Sequence, residues 1–93
     1  MDTWLNQTKG SKMKKLYTVY DRKAQQYAPP FTEISDGTAI RAMQDVMKNA
    51  DHPFSSYPED YELISLADFD EQTGEIVVQK PLQVITMITL KGE

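Results

Sequence analysis

Basic and aromatic side chains interleave near the start of this sequence, in Lys14, Lys15, Tyr17, Tyr20, Arg22, Lys23 and Tyr27. The combination suits single-stranded nucleic acid, because cations track phosphates while rings offer faces for stacking, each stacked base contributing about 1–3 kcal/mol. Against this stands the ordinary fate of such residues in a strand, where tyrosines pack and lysines merely solvate. The raw material for catalysis is thinner. His52 is the sole histidine, and its place before Pro53 at a helix end suits it to bonding free carbonyls. Spacing ties no serine or threonine to it. Asp68, Asp70 and Gln72 imitate the opening of a calcium loop, but Thr73 stands where the turn glycine belongs and Gln79 where the bidentate glutamate belongs. Glu59 and Asp60 read as turn residues. The sequence therefore gives no catalytic residue, metal site or cofactor, and the chain reads as a non-enzyme.

The elements that position these residues follow from periodicity. Ala39, Ile40, Met43, Val46, Met47 and Ala50 recur at three- and four-residue steps, which predicts a helix over 36–50, started by Ser35 or Asp36 and stopped by Asn49 and Pro53. Lys14 to Tyr20 reads as a first strand, with Leu16, Thr18 and Tyr20 on one face and Lys15, Tyr17 and Val19 on the other. Residues 24–30 form a connection held extended by Pro29 and Pro30, and Phe31 to Ile34 a short strand. Asp51 to Asp60 is a loop with Phe54 and Tyr57 pinned inward and Pro58 opening a turn. Tyr61 to Ala67 and Glu75 to Gln79 are antiparallel strands around a hairpin loop, Asp70 to Gly74, with Gly74 left-handed. Leu82 to Leu90 is the last strand, uncharged and apolar on both faces, and so expected at the sheet centre or across a dimer interface. The fold class is α+β, a small mostly antiparallel sheet of four to five strands with one main helix on one face. Residues 1–12 read as a flexible arm or extension, with Trp4 and Leu5 its only large apolar side chains, and 13–93 as a single domain.

One helix covers one face of a sheet, so the second needs another cover. Leu82, Val84, Ile85, Met87 and Ile88 are the expected surface of a homodimer or higher oligomer, and Tyr17 and Val19 raise the same demand in the first strand.

Composition bounds the partners. Net charge is −4, yet residues 1–23 carry six bases against two acids, and residues 24–93 four bases against twelve acids. An acidic chain is a poor nonspecific binder of nucleic acid, while a basic arm keeps that function open. The acidic majority suits a basic protein partner instead, such as a viral or host replication or capsid protein. There is no cysteine, which fits a reducing cytoplasm, and no apolar run approaches the roughly 20 residues of a membrane span.

From Met13 onward the chain resembles the small nonstructural protein of gokushoviruses, single-stranded DNA phages of the microvirus group. The shared signals are MKKLYTVYDRKA, AIRAMQDV and YPEDYELISLADFDEQTGEI, and residues 1–12 fall outside them. The resemblance implies a protein made in the cytoplasm of an infected bacterium that binds single-stranded DNA and acts in the switch to single-strand genome synthesis and packaging. It marks Tyr20, Asp21, Arg41, Pro58, Glu59, Asp60, Tyr61, Phe69, Asp70 and Gly74. Most of these suit turns and packing. Arg41, on the outer side of the helix, can meet phosphate or pair with Glu59 or Asp60, and the ion pair is the stronger reading.

Overall fold

The computed structural model describes residues 13–92; the arm over 1–12, with Trp4 and Leu5, lies outside them. Five antiparallel strands form one open sheet: β1 (Met13–Asp21), β2 (Gln26–Tyr27), β3 (Phe31–Glu33), β4 (Tyr61–Asp70) and β5 (Ile76–Thr86). Their order is β2-β1-β4-β5, with β3 also on the outer side of β1. Helix α1 (Asp36–Met47) packs on one face, joined by two short helices, α2 (Pro53–Ser56) and α3 (Met87–Lys91). The α+β class read from sequence is the fold observed.

Helix α1 starts where the sequence marks it. Ser35 Oγ accepts the Thr38 amide at 3.3 Å, and Thr38 Oγ1 accepts the Ser35 amide at 3.2 Å, so two orphan donors are satisfied reciprocally. The helix stops at Met47 and not at Ala50, because Asn49 turns the chain and its side chain accepts the Asp51 amide. Ala39 and Met43 enter the core with Tyr17, Val19, Leu63, Met87 and Leu90. Tyr17 and Val19 thus face α1 and need no external cover. On the opposite face Thr18 and Ile64 are also buried within the chain, so the sheet centre is closed on both sides.

The outer edge of β1 is covered in two pieces. Asp21 Oδ1 accepts the amides of Lys23 and Ala24, which folds 22–25 into a tight turn and returns β2 against Tyr20 and Asp21. Residues 24–30 are therefore not one extended connection. Pro29 and Pro30 interrupt the ladder before β3 resumes it opposite Lys15–Tyr17, and the Thr18 hydroxyl donates to the Ala28 carbonyl in the gap. In the corner after α1, Phe54 packs on Tyr61 with ring centroids 4.8 Å apart. Tyr57, expected inward, is exposed.

The C-terminal region departs most from expectation. The two stretches read as separate strands are one strand, β5, which crosses a wide irregularity where Gln79, Lys80 and Pro81 together face Leu66 of β4. Pro81 has no amide for the ladder, and Gln79 Nε2 reaches Ser65 Oγ at 3.1 Å instead. The strand ends at Thr86, whose hydroxyl caps the amide of Thr89. Residues 87–91 then turn into α3, which puts Met87 and Leu90 into the core and leaves Ile88 about half exposed. β5 is an edge strand, not a central one. Replacing Met87 by Ala should lower stability to urea by about 2–4 kcal/mol, and Ile88 by Ala by less than about 1 kcal/mol. Equal losses at the two positions would contradict the helical turn.

Candidate nucleic-acid interface

The sheet neutralises most of the cations that its first strand carries. Lys14 Nζ lies 3.2 Å from Glu71 and Lys15 Nζ 4.0 Å from Asp36. Arg22 Nε donates to Glu62 at 2.8 Å, and Gln83 Nε2 donates to the other oxygen of that carboxylate at 2.8 Å. Tyr17 is wholly buried and its hydroxyl donates to Asp36 at 2.5 Å, so it offers no face for stacking. Burial first, and the Asp36 carboxylate second, push its pKa well above the usual tyrosine value. What remains accessible from this group is the β1–β2 hairpin. Tyr20 and Tyr27 lie against each other at 4.6 Å, Tyr27 about half exposed, beside the exposed Lys23.

A second group of cations gathers elsewhere. Arg41, Lys48 and Lys91 line an open groove of about 810 Å³ between the outer side of α1, the corner after it, and α3. Gln44, Met47, Ala50, Ser55 and Leu90 share the lining, and Asp45 is its only acid. Lys48 Nζ reaches Asp45 at 3.3 Å, which leaves an excess of two positive charges. Among the described residues Arg41 makes no ion pair; the expected contact with Glu59 or Asp60 does not form, because α1 presents Arg41 to the groove. Carbonyls at the end of a helix would ordinarily repel an anion. Here they are already occupied: Ser55 Oγ donates to the Met47 and Asn49 carbonyls at 2.8 and 3.0 Å, and Lys91 Nζ to the Ser55 carbonyl at 2.7 Å. The groove can therefore take a phosphodiester against its cations, with the alkyl floor of Met47 and Leu90 under a sugar or base.

Helix α2 separates this groove from a smaller hollow of about 180 Å³ lined by Phe54, Tyr61, Tyr27 and Val19. Ser55 faces the first and Phe54 the second. The groove and the tyrosine hairpin thus flank one short helix. The remaining polar groups singled out in sequence serve structure. His52 caps α2, its Nδ1 accepting the Phe54 amide at 3.1 Å, so it meets the start of one helix and not the carbonyls that end another. Asp70 Oδ1 accepts the amides of Gln72 and Thr73 and shapes the hairpin tip, where Gly74 takes the left-handed φ of 81°. Sequence reasoning missed Lys48 and Lys91. The first stood in view, seven residues after Arg41 on the polar side of the helix; the second was hidden by reading its segment as a strand.

The family described as phage ORF5 protein matches residues 14–90, and the chain belongs to that family. No curated protein and no solved structure matches it.

Glu62 joins the strand cations to the fold and gives a pH test. Burial raises its pKa, but the hydrogen bonds from Gln83 and Arg22 and the guanidinium charge outweigh burial and hold it below the ordinary 4.5. The folded state thus prefers the carboxylate. Its contribution is complete above pH 4.5 and is lost as pH falls through the lowered folded value. Glu62→Gln should be less stable than the parent by roughly 1 kcal/mol at about pH 7, with the difference closing toward about pH 3. A gap that stays constant across urea titrations in that range would rule out this role.

Proposed function

We propose that this chain is a nonenzymatic DNA-binding accessory protein of a single-stranded DNA phage, acting in the cytoplasm of the infected bacterium in the switch to single-strand genome synthesis and packaging. Membership in a phage family supports the setting. The observation that carries DNA binding is the groove, where three cations meet one acid on a chain whose net charge is −4. Arg41 is the strongest contact of the three, because its planar fork matches phosphate oxygens and no carboxylate of the described residues engages it. Across α2, Tyr27 and Tyr20 offer rings to an unpaired base, which favours single-stranded over duplex DNA. Lys14 and Lys15 are held by Glu71 and Asp36 and contribute little.

Fluorescence anisotropy with single-stranded and duplex oligonucleotides, repeated across a salt series, tests this reading. Each phosphate contact on a single strand should add about 0.7 to the slope of log affinity against log salt. Arg41→Ala with Lys48→Ala should weaken single-strand binding by roughly 10-fold and flatten that slope by about 1.4, while Lys14→Ala changes neither appreciably. Absence of binding at low salt, or full binding by the double variant, would overturn the assignment. Stoichiometric capture of a replication or capsid protein without DNA would then point to a protein-interaction role.

A further inference from the structure

Among the described residues, the far half of β5 is an apolar strand edge with nothing beside it. β5 pairs with β4 alone, and Ile76, Val77 and Val78 are 53%, 61% and 77% exposed. Register against β4 places Val77 with Asp68 on one face, and Ile76 and Val78 with Phe69 and Ala67 on the other. Apolar side chains on both faces of an unpaired edge form a template for another strand, unless charge, proline or a bulge blunts it. From Ile76 to Gln79 this edge carries neither charge nor proline.

We propose that the occupant is a second copy of this chain, its β5 antiparallel to the first across a two-fold axis at Val77. A two-fold axis normal to the sheet allows only registers in which some residue faces itself. Centring on Val77 sets the two Val77 side chains together on one face, and Ile76 against the partner's Val78 on the other. Centring on Val78 would oppose Ile76 to the partner's Lys80 and Val77 to the partner's Gln79, so the Val77 register keeps the apolar surface matched. Charge agrees with this choice. The chain is net negative, which disfavours contact between copies over most of the surface, yet the paired stretch is neutral. Glu75 and Lys80 bracket it with opposite signs, so antiparallel pairing brings each acid toward the base end of the other strand.

The same segment limits the assembly. Pro81 and the irregularity at 79–81 stop the ladder on one side, and the hairpin tip at Gly74 on the other. A two-fold contact uses this edge completely, so the product is a closed dimer and not a fibre. The exposed apolar side chains supply on the order of 300–400 Å² per copy, under half of the roughly 800 Å² that a standard interface buries on each partner, so the contact is a weak and reversible one. This interface differs from the one expected over Leu82–Ile88. Met87 lies in the core, Val84 and Ile85 pack against it, and Ile88 projects from α3; of that group only Leu82 adjoins the paired stretch.

Sedimentation velocity from about 1 to about 200 µM should show a reversible monomer–dimer equilibrium. Val77→Lys should raise the dissociation constant at least about 10-fold through like charges at the axis, while an unchanged circular dichroism spectrum shows the fold intact. Mixing Val77→Lys with Val77→Glu should restore a dimer that neither variant forms alone. A monomer at the highest concentration overturns the proposal, and so does a dimer that persists in folded Val77→Lys. Groove binding is read separately, because a monomeric Val77→Lys keeps Arg41, Lys48 and Lys91.

Discussion

Tyr17 is the residue on which the arrangement depends. From one position in β1 it stacks on Phe31 of β3 at 6.0 Å, packs under α1, and donates its hydroxyl to Asp36 in the first turn of that helix. Strand, returning strand and helix start are thereby fixed to one another. The hydroxyl must have a partner once the ring is buried, since an unpaired buried donor costs about 1–3 kcal/mol, and an acid in the first turn of a helix is stabilised there by the helix dipole. The bond also draws Lys15 toward Asp36. What binds the helix to the sheet thus removes two members of the basic and aromatic group from any role outside the fold.

Local chemistry was legible where one residue decides it. Ser35 announces the start of α1, Asp70 and Gly74 announce the hairpin, and the alternation of β1 assigns its two faces. The readings that failed depended on competition between levels. The segment from Leu82 to Leu90 is rich in β-branched residues and favours strand by propensity, yet Met87 and Leu90 stand three apart and can both enter the core only from a helical turn. Thr86 and Thr89 supply the cap that starts it. The β1–β2 turn was missed for a similar reason: Asp21 reads as the end of a strand, and its carboxylate in fact bonds the amides that reverse the chain.

The candidate site shows why charge counted along a chain locates an interface poorly. Residues 14–23 are the most basic stretch of the described sequence, and antiparallel pairing sets acids beside them: Glu62 opposite Tyr20 within reach of Arg22, and Glu71 at the end of the β4 ladder within reach of Lys14. Sparse bases in the acidic remainder meet fewer partners. Arg41, Lys48 and Lys91 come from separate turns and separate elements, and only the fold brings them to one groove. Spacing gave Arg41 and Lys48 a common helical side; nothing in the sequence placed Lys91 beside them.

The length of α1 bears on both features that look outward. Twelve residues of helix extend about 18 Å, whereas the longest dimension of the described fold is 47 Å. A cover of that size closes the middle of the sheet, where Tyr17, Val19 and Leu63 are buried, and must end before the hairpin does. At one end of the helix the shortfall is filled by α2 and α3, which meet α1 imperfectly and leave the basic groove between them. At the other, the β4–β5 hairpin runs on with no helix of the described residues above it. Its inner strand still buries Ala67, but among the described strands Ile76 to Val78 have a neighbour on one side only. A longer helix would have covered Val77, which shares the face of Lys15 and Asp68, whereas Ile76 and Val78 lie on the opposite face and β5 is an edge by strand order alone.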